Sequence, residues 1–229
     1  MTSTRVDRKY VLSETVLQDT LTENRALWSL DAVGGLEMQR YETEYHDTAD
    51  LQLFHAGRGR RAFRSKVRVR HYLDTDDRFV EVKSRNVRGE TTKVREPWTG
   101  SLTEARSMLE TAFGGASMQV LDDLLPTART SYERTALVLA GGGRMTIDRQ
   151  LRVGPHSGVT HQLFDEGAAL VIVETKAPDA LPTSIDRWFW NQRHRPQSLS
   201  KYALAVASFR PDLPLNRWTR AATQLVPIR

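Results

Sequence analysis

The sequence predicts an α+β protein built on one antiparallel, barrel-like sheet. Three observations carry this expectation. Between Ser65 and Arg95 three short segments follow one another, SKVRVRHY, RFVEVKSR and GETTKVRE, and in each of them valines alternate with charges. Alternate residues of a strand point to opposite faces, so each segment has one apolar and one charged face. Seven or more such segments run along the chain, with only two or three helical patterns inserted between them, which favours a meander over a βαβ sheet. Finally, Gly141-Gly142-Gly143 separates two strand-like runs, a hairpin signal.

The elements are expected in this order. Arg5–Leu12 opens as a strand with Arg5, Asp7 and Lys9 on one face and Val6, Arg8, Tyr10 and Leu12 on the other. Ser13 is the expected N-cap of a helix reaching about Leu27, with Glu14 in its first turn favoured by the helix dipole, and Gly34-Gly35 ends that region. Arg40–Asp47 is rich in aromatic and β-branched residues and predicts a strand. Residues 48–59 predict a turn-rich connection, and GRGRR at 57–61 a solvated basic loop. The three central strands come next, joined by an Asp-rich turn at 74–77 and a turn at Gly89.

Pro97–Gly100 breaks the alternation. Ser101 and Glu104 have the spacing of a capping box and predict a helix carrying Leu102, Ala105, Met108, Leu109 and Ala112. A second short helix, about 117–125, stops before Pro126. Strands are expected at 130–140 and 144–151, an edge strand at 161–164 and a strongly apolar strand at 168–176. Pro182 leads into a helix over 183–193, and a last helix is expected over 197–209. The residues after Pro211 are expected to form a docked or loose tail.

At 39% apolar and 27% charged, the 229 residues have the composition of a soluble globular protein. The formal charge of +5 and a pI near 9.7 favour an acidic partner. With no cysteine, disulfides, thiolate metal sites and a cysteine nucleophile are excluded. No apolar run approaches the ~18 residues of a membrane span, and MTSTRVDRKY lacks a signal-peptide core, so a cytoplasmic location is expected.

Alternation gathers Arg5, Asp7, Lys9, Lys66, Arg68, Arg70, Glu81, Lys83, Lys93, Arg95, Arg134, Arg144, Asp148, Glu174 and Lys176 away from the apolar faces. Such a set is either the solvated face of an open sheet or the interior of a closed one, and alternation alone does not choose. If interior, the charges must be paired or bind a ligand. Guanidinium forks and ammonium groups suit phosphate oxygens, and a terminal phosphate carries about −1.5 to −2 charges. The interspersed acids suit a divalent ion bridging phosphate oxygens.

At this point the residues resemble a family. RVDRKYVL, TEYHDTADLQLF at 43–54, KVRVRHY at 66–72, FVEVKSR at 79–85, TTKVRE at 91–96, SYERTAL at 131–137, RMTID at 144–148, VIVETK at 171–176 and QSLSKYAL at 197–204 come in the order of the VTC (vacuolar transporter chaperone) domain of polyphosphate polymerases, a CYTH-like triphosphate tunnel metalloenzyme. The resemblance implies an eight-stranded antiparallel β-barrel, a triphosphate tunnel, with helices packed outside and at one end. It implies one domain over residues 1–210 and a tail over 211–229. Lys9, Arg68, Arg70, Lys83, Lys93, Arg134, Arg144 and Lys201 match its phosphate-binding set, with Lys66, Arg95 and Lys176 as further phosphate or nucleotide contacts. Glu174 matches its divalent-metal ligand, for Mn²⁺ or Mg²⁺, and Glu81 and Asp148 either assist the metal or balance charge.

The activity so implied is transfer of the γ-phosphate of ATP, or of another nucleoside triphosphate, to inorganic polyphosphate. The alternatives are a triphosphatase or polyphosphatase of the same fold and a non-catalytic module binding polyphosphate or nucleic acid, the latter ligand being the less expected. The related triphosphatases and cyclases open with an E-x-E-x-K strand, whereas here that face reads Arg5, Asp7, Lys9, which favours the VTC branch. The sensor domain and membrane helices found beside such domains have no counterpart here, so a free-standing version is expected.

Other candidates have plainer readings. The six histidines show no metal-ligand spacing. Asp47 suits a turn better than catalysis. The Gly141–Gly143 run lacks the G-K-[ST] of a phosphate loop. Trp188 and Phe189 suit a helix core, with Trp190 open.

Overall fold

The computed structural model describes residues 6–32, 35–59, 64–85, 91–114, 118–163, 169–179 and 181–225. Arg5, Gly34, Gly89, Phe164 and the Arg60-Arg61 end of the basic loop lie outside them. The first strand, β1 (Val6–Ser13), runs directly into α1 (Glu14–Glu23), where the Ser13 hydroxyl accepts from the Val16 N–H as an N-cap should. The helix stops four residues short of the expected Leu27, and a 3₁₀ turn over Arg25–Leu27 leads to the short β2 (Trp28–Leu30).

After β3 (Met38–Asp47) the expected connection is instead a helix, α2 (Gln52–Arg58). Leu51 turns the chain at φ 60°, and the buried Asp47 carboxylate accepts from the N–H groups of Thr48, Leu53 and Phe54. The Thr48 hydroxyl takes the Gln52 N–H at 3.0 Å, so the helix N–H groups are capped from Asp47 and Thr48, while Leu51 at the N-cap position itself offers no side-chain acceptor for a sequence pattern to catch.

The charged segments form β4 (Arg64–Tyr72), β5 (Asp77–Arg85) and β6 (Thr91–Pro97). The capping box is not formed: the Ser101 hydroxyl accepts from Thr103 N–H in a local turn, and α3 begins only at Arg106 (Arg106–Phe113), followed by α4 (Met118–Asp122). Pro126, expected outside regular structure, lies inside β7 (Leu125–Leu139). It stands opposite His46 where the register with β3 shifts, an irregularity that tolerates the missing N–H. Gly141 and Gly142, both at φ 87°, turn the chain into β8 (Gly143–Pro155). Then come the edge pair β9 (His161–Gln162) and the apolar β10 (Leu170–Ala177). The helix α5 (Ser184–Asn191) starts on a Thr183–Asp186 capping box, and α6 (Lys201–Phe209) starts on Ser200, four residues later than expected. The last helix is α7 (Thr219–Leu225).

The sheet order is β1-β10-β8-β7-β3-β4-β5-β6, antiparallel throughout, with β2 added to β7 and β9 to β8. Eight strands thus form the main path, as expected, but the barrel is open: among the described residues no ladder joins β1 to β6. The sheet is nevertheless strongly curled. Lys83, near one edge, lies 3.8 Å from Asp7 on the opposite edge strand. The two halves of the concave face carry like charges, Lys9 and Lys176 against Lys66, Lys83 and Lys93, and their repulsion opposes closure.

Three apolar clusters hold this shape. Outside one half, Tyr10, Leu137, Ile147 and Val173 pack under α1 and α5, where Phe189 is core and the Trp190 indole donates to the Tyr10 hydroxyl. Outside the other, Val67, Val80 and Val82 pack under α3. The third lies on the concave side: α6 packs there with Tyr45, Tyr132, Leu151 and Ile172, and Trp218, Ala221 and Leu225 dock on it behind. No helix among the described residues is long and apolar enough to cross a membrane.

Candidate functional site

Cross-strand register decides which charges meet. Lys9 stands opposite Glu174, Arg134 opposite Asp148, Arg68 opposite Glu81, and Lys66 and Lys93 both opposite Lys83. All these residues share the concave face, because each falls on the side opposite the valines of its strand. The curl brings them around one cavity of about 230 Å³. Every sequence-predicted residue lines it except Asp148, Arg144 and Arg95. Among the described residues its lining holds nine cationic side chains against three carboxylates, those of Asp7, Glu81 and Glu174.

The carboxylates divide into two kinds. Glu81 is tied down: Arg68 donates to its Oε2 from Nε at 2.8 Å and Nη2 at 2.5 Å, Arg70 lies 3.7 Å from the same oxygen, and Lys93 is 3.4 Å from Oε1. Burial alone would raise its pKa, but Arg68, Arg70 and Lys93 outweigh burial and hold it at about 2. Asp148 sits just behind the lining and receives Arg134 bidentately, at 2.5 and 2.8 Å, and Lys201 as well. Burial works against its charge, and these two cations keep it far below the usual carboxylate range. Of the two roles open to Glu81 and Asp148, the geometry supplies charge balance.

Glu174 differs. Burial would raise its pKa, and the fields of Lys9, Lys176, Arg134 and Lys201 hold it at about 2. Yet no described residue hydrogen-bonds or ion-pairs with its carboxylate, which leaves its oxygens available to a ligand. Among the described residues no cluster of three metal-binding side chains exists. One unencumbered carboxylate fits Mg²⁺ or Mn²⁺ that arrives on phosphate oxygens and keeps some of its water, and does not fit a caged, resident ion.

The cations are similarly graded. Burial and the neighbouring Lys9, Lys83, Arg68 and Arg217 push Lys66 well below an ordinary lysine. Lys83, Lys93 and Lys201 are lowered too, by burial first, against the pull of Asp7, Glu81 and Asp148 respectively. Arg144 pairs with Asp31 at 2.5 Å. Arg95 stacks on Phe79, 4.3 Å from the ring centroid, within 3.4 Å of the Tyr72 hydroxyl. Neither lines the cavity.

Sequence reasoning left five of the described lining residues unassigned: Asp7, Tyr45, Val82, Tyr132 and Ser200. Tyr132 precedes Arg134 by two positions and so must share its face, a signal that was present. Its ring carries Lys201 Nζ at 4.5 Å and Arg134 at 5.2 Å, a cation–π floor. Ser200 is the N-cap of α6 and accepts a hydrogen bond from Lys66 Nζ at 2.9 Å. A second cavity of about 210 Å³ shares Lys9, Lys66 and Lys83 with the first and adds Arg64, Arg85 and Arg217, so the basic surface continues beyond the first cavity.

The family model of the VTC domain matches residues 4–210. Among solved structures, a candidate adenylyl cyclase from Hippeastrum with a dominant triphosphatase activity is similar over 93% of this chain and 99% of its own, with a TM-score of 0.51 and 16% identity. That likeness extends to the fold. Candidate adenylate cyclases from Vibrio parahaemolyticus (TM-score 0.47, 12% identity, 87% of this chain and 96% of that one) and Bacillus halodurans (TM-score 0.46, 14% identity, 100% and 96%) are similar too. No curated protein matches the chain by sequence.

Proposed function

We propose, since the chain belongs to the VTC domain family, that it is a polyphosphate polymerase, transferring the γ-phosphoryl group of ATP to the end of a polyphosphate chain. The observation that carries this reading is the cavity itself: nine cations converge on it from strands on both halves of a curled sheet, while two of the nearby acids are spent holding cations in place.

In this reading Arg68 and Arg70 bind one stretch of phosphate and Arg134 and Lys201 another. Glu81 and Asp148 fix their geometry, so the donors are oriented before a ligand arrives. Charge spread over the transferring group is met by guanidinium forks and ammonium groups. The terminal oxygen of the acceptor chain forms the new P–O bond as the bond from the γ-phosphorus to the β–γ bridging oxygen breaks, and ADP leaves with that electron pair. Glu174 would hold Mn²⁺ or Mg²⁺, which supplies charge neutralisation at the phosphate oxygens. The polyanion also offsets the repulsion across the concave face, which favours the closed tunnel.

The test is product analysis. The protein is incubated with ATP and Mn²⁺, with and without a short polyphosphate primer, and products are separated on a polyphosphate-stained gel while ADP is measured. A ladder that accompanies ADP and disappears in Arg68→Ala supports the polymerase. Phosphate release without a ladder assigns the cavity to triphosphate hydrolysis instead. Tight polyphosphate binding without turnover of any nucleotide makes it a receptor.

A further inference from the structure

Lys66 is set apart from the other cavity lysines by its partner, a side-chain hydroxyl. Lys201, Lys83 and Lys93 each have a carboxylate within 4 Å. Lys66 has none among the described residues, and its hydrogen bond goes to the Ser200 hydroxyl, 2.9 Å away. Both residues line the phosphate cavity. Burial, and then the charges of Lys9, Lys83 and Arg68, shift Lys66 away from its charged form and toward the neutral amine. An amine in contact with a hydroxyl is the arrangement in which a weak nucleophile gains a general base. Ser200 is also the N-cap of α6, and its Oγ meets the Ala203 N–H at 3.3 Å, so an anion formed there faces the positive end of a nine-residue helix. None of this is needed for transfer to an existing phosphate chain.

The geometry points to Ser200 as a phosphoryl acceptor: in the absence of primer the protein phosphorylates its own Ser200 from a nucleoside triphosphate, with Lys66 as general base. This inference rests on the nucleotide-binding part of the proposed polymerase function. Ser200 Oγ forms a bond to the γ-phosphorus, the bond from that phosphorus to the β–γ oxygen breaks, the nucleoside diphosphate leaves with the electron pair, and the hydroxyl proton passes to Lys66 Nζ. The resulting phosphoserine lies beside Lys66 and Lys201 and offers its oxygens as the first acceptor of a growing chain.

The experiment uses the full chain, γ-labelled ATP and Mn²⁺ without primer, with the protein run on a denaturing gel and its peptides mapped by mass spectrometry. Label on the peptide holding Ser200, with the mass of at least one phosphoryl group, is expected. Ser200→Thr keeps the hydroxyl and should retain label. Ser200→Asn keeps a helix cap but has no hydroxyl, and should lose it. Lys66→Met should lower the initial labelling rate at least tenfold at neutral pH. The primed ladder assay of the unaltered protein runs in parallel. A ladder with no label on Ser200 overturns this inference and leaves the polymerase standing. Label on Ser200 without a ladder supports the inference and removes the polymerase. Label that persists in Ser200→Asn also overturns it.

Discussion

Arg134 and Asp148 face each other across β7 and β8 as a fork on a fork, with nitrogen–oxygen distances of 2.5 and 2.8 Å. Asp148 is almost fully buried and holds Lys201 at the same time. One carboxylate thus positions two of the cations that face the cavity. Asp148→Asn would leave both cations in a buried site without their counter-charge. Removing one partner of such a pair costs about 3–5 kcal/mol. Urea unfolding should show a loss of that size, and Asp148→Asn/Lys201→Met should recover part of it, because the second change removes one uncompensated charge. Equal stability of the two variants would mean that Lys201 draws nothing from Asp148.

Acid should weaken the fold through the same carboxylates. The ordinary value for Glu81 is 4.5 and the folded value is about 2. A carboxyl whose folded pKa is depressed stabilises the fold above its unfolded pKa, and that contribution disappears as pH falls through the folded pKa. The window is therefore about pH 4.5 down to about 2 for Glu81, and Glu174 covers the same range. The Glu81 shift is worth about 3 kcal/mol. Protonation also leaves the cavity cations uncompensated, so inorganic tripolyphosphate should move the acid-unfolding midpoint to lower pH. Circular dichroism across this pH range, with and without tripolyphosphate, reads both effects. An unchanged midpoint would mean that the polyanion does not sit among these groups.

Glu174→Gln separates metal use from phosphate binding. The carboxylate makes no contact that orients a cation, so its neutralisation should leave the lining arranged as it is. Without metal, the more positive cavity should bind tripolyphosphate as tightly or more tightly, by calorimetry at low salt. Mn²⁺-dependent ADP formation should fall at least a hundredfold. Weaker metal-free binding would show that Glu174 holds the cations in place instead.

Much of this site was legible because a strand's period is two. Arg68, Glu81, Lys93 and Glu174 are on one face for the same reason that Val67, Val80, Val94 and Val173 are on the other. Which strands adjoin was not legible: β1 meets β10 across nearly the whole chain, and β3 meets β7, through hydrogen bonds any sequence can make. Nor was the openness of the barrel, which depends on the balance of repulsion between edges far apart in sequence. Arg144 and Arg95 follow the alternation yet miss the cavity, because a face is longer than the pocket on it. The helix α2 was hidden because its caps come from Asp47 and Thr48, before the N-cap position, where Leu51 stands. Ser200 was visible beside Lys201, but its partner Lys66 lies 134 positions away, and only the fold joins them.

Asp47 offers the contrast to the cavity acids. It is fully buried and accepts from three backbone N–H groups and from the Tyr202 hydroxyl at 2.5 Å. Burial raises its pKa, opposed by Tyr202 and those N–H groups. Its carboxylate ties β3 to the Thr48 turn, to α2 and to α6, and it lies outside the cavity lining. Its role is therefore to lock α6 against the sheet. Tyr202→Phe keeps the ring, stacked on Tyr45 at 5.0 Å, and removes only the hydroxyl. Losing a hydrogen bond to a buried carboxylate should cost about 1.5–3 kcal/mol. Urea unfolding should register that loss, while ADP formation per folded molecule stays within about twofold of the parent, well under the tenfold step that 1.4 kcal/mol in a barrier would produce. A hundredfold fall in turnover at unchanged stability would instead assign Asp47 to the chemistry.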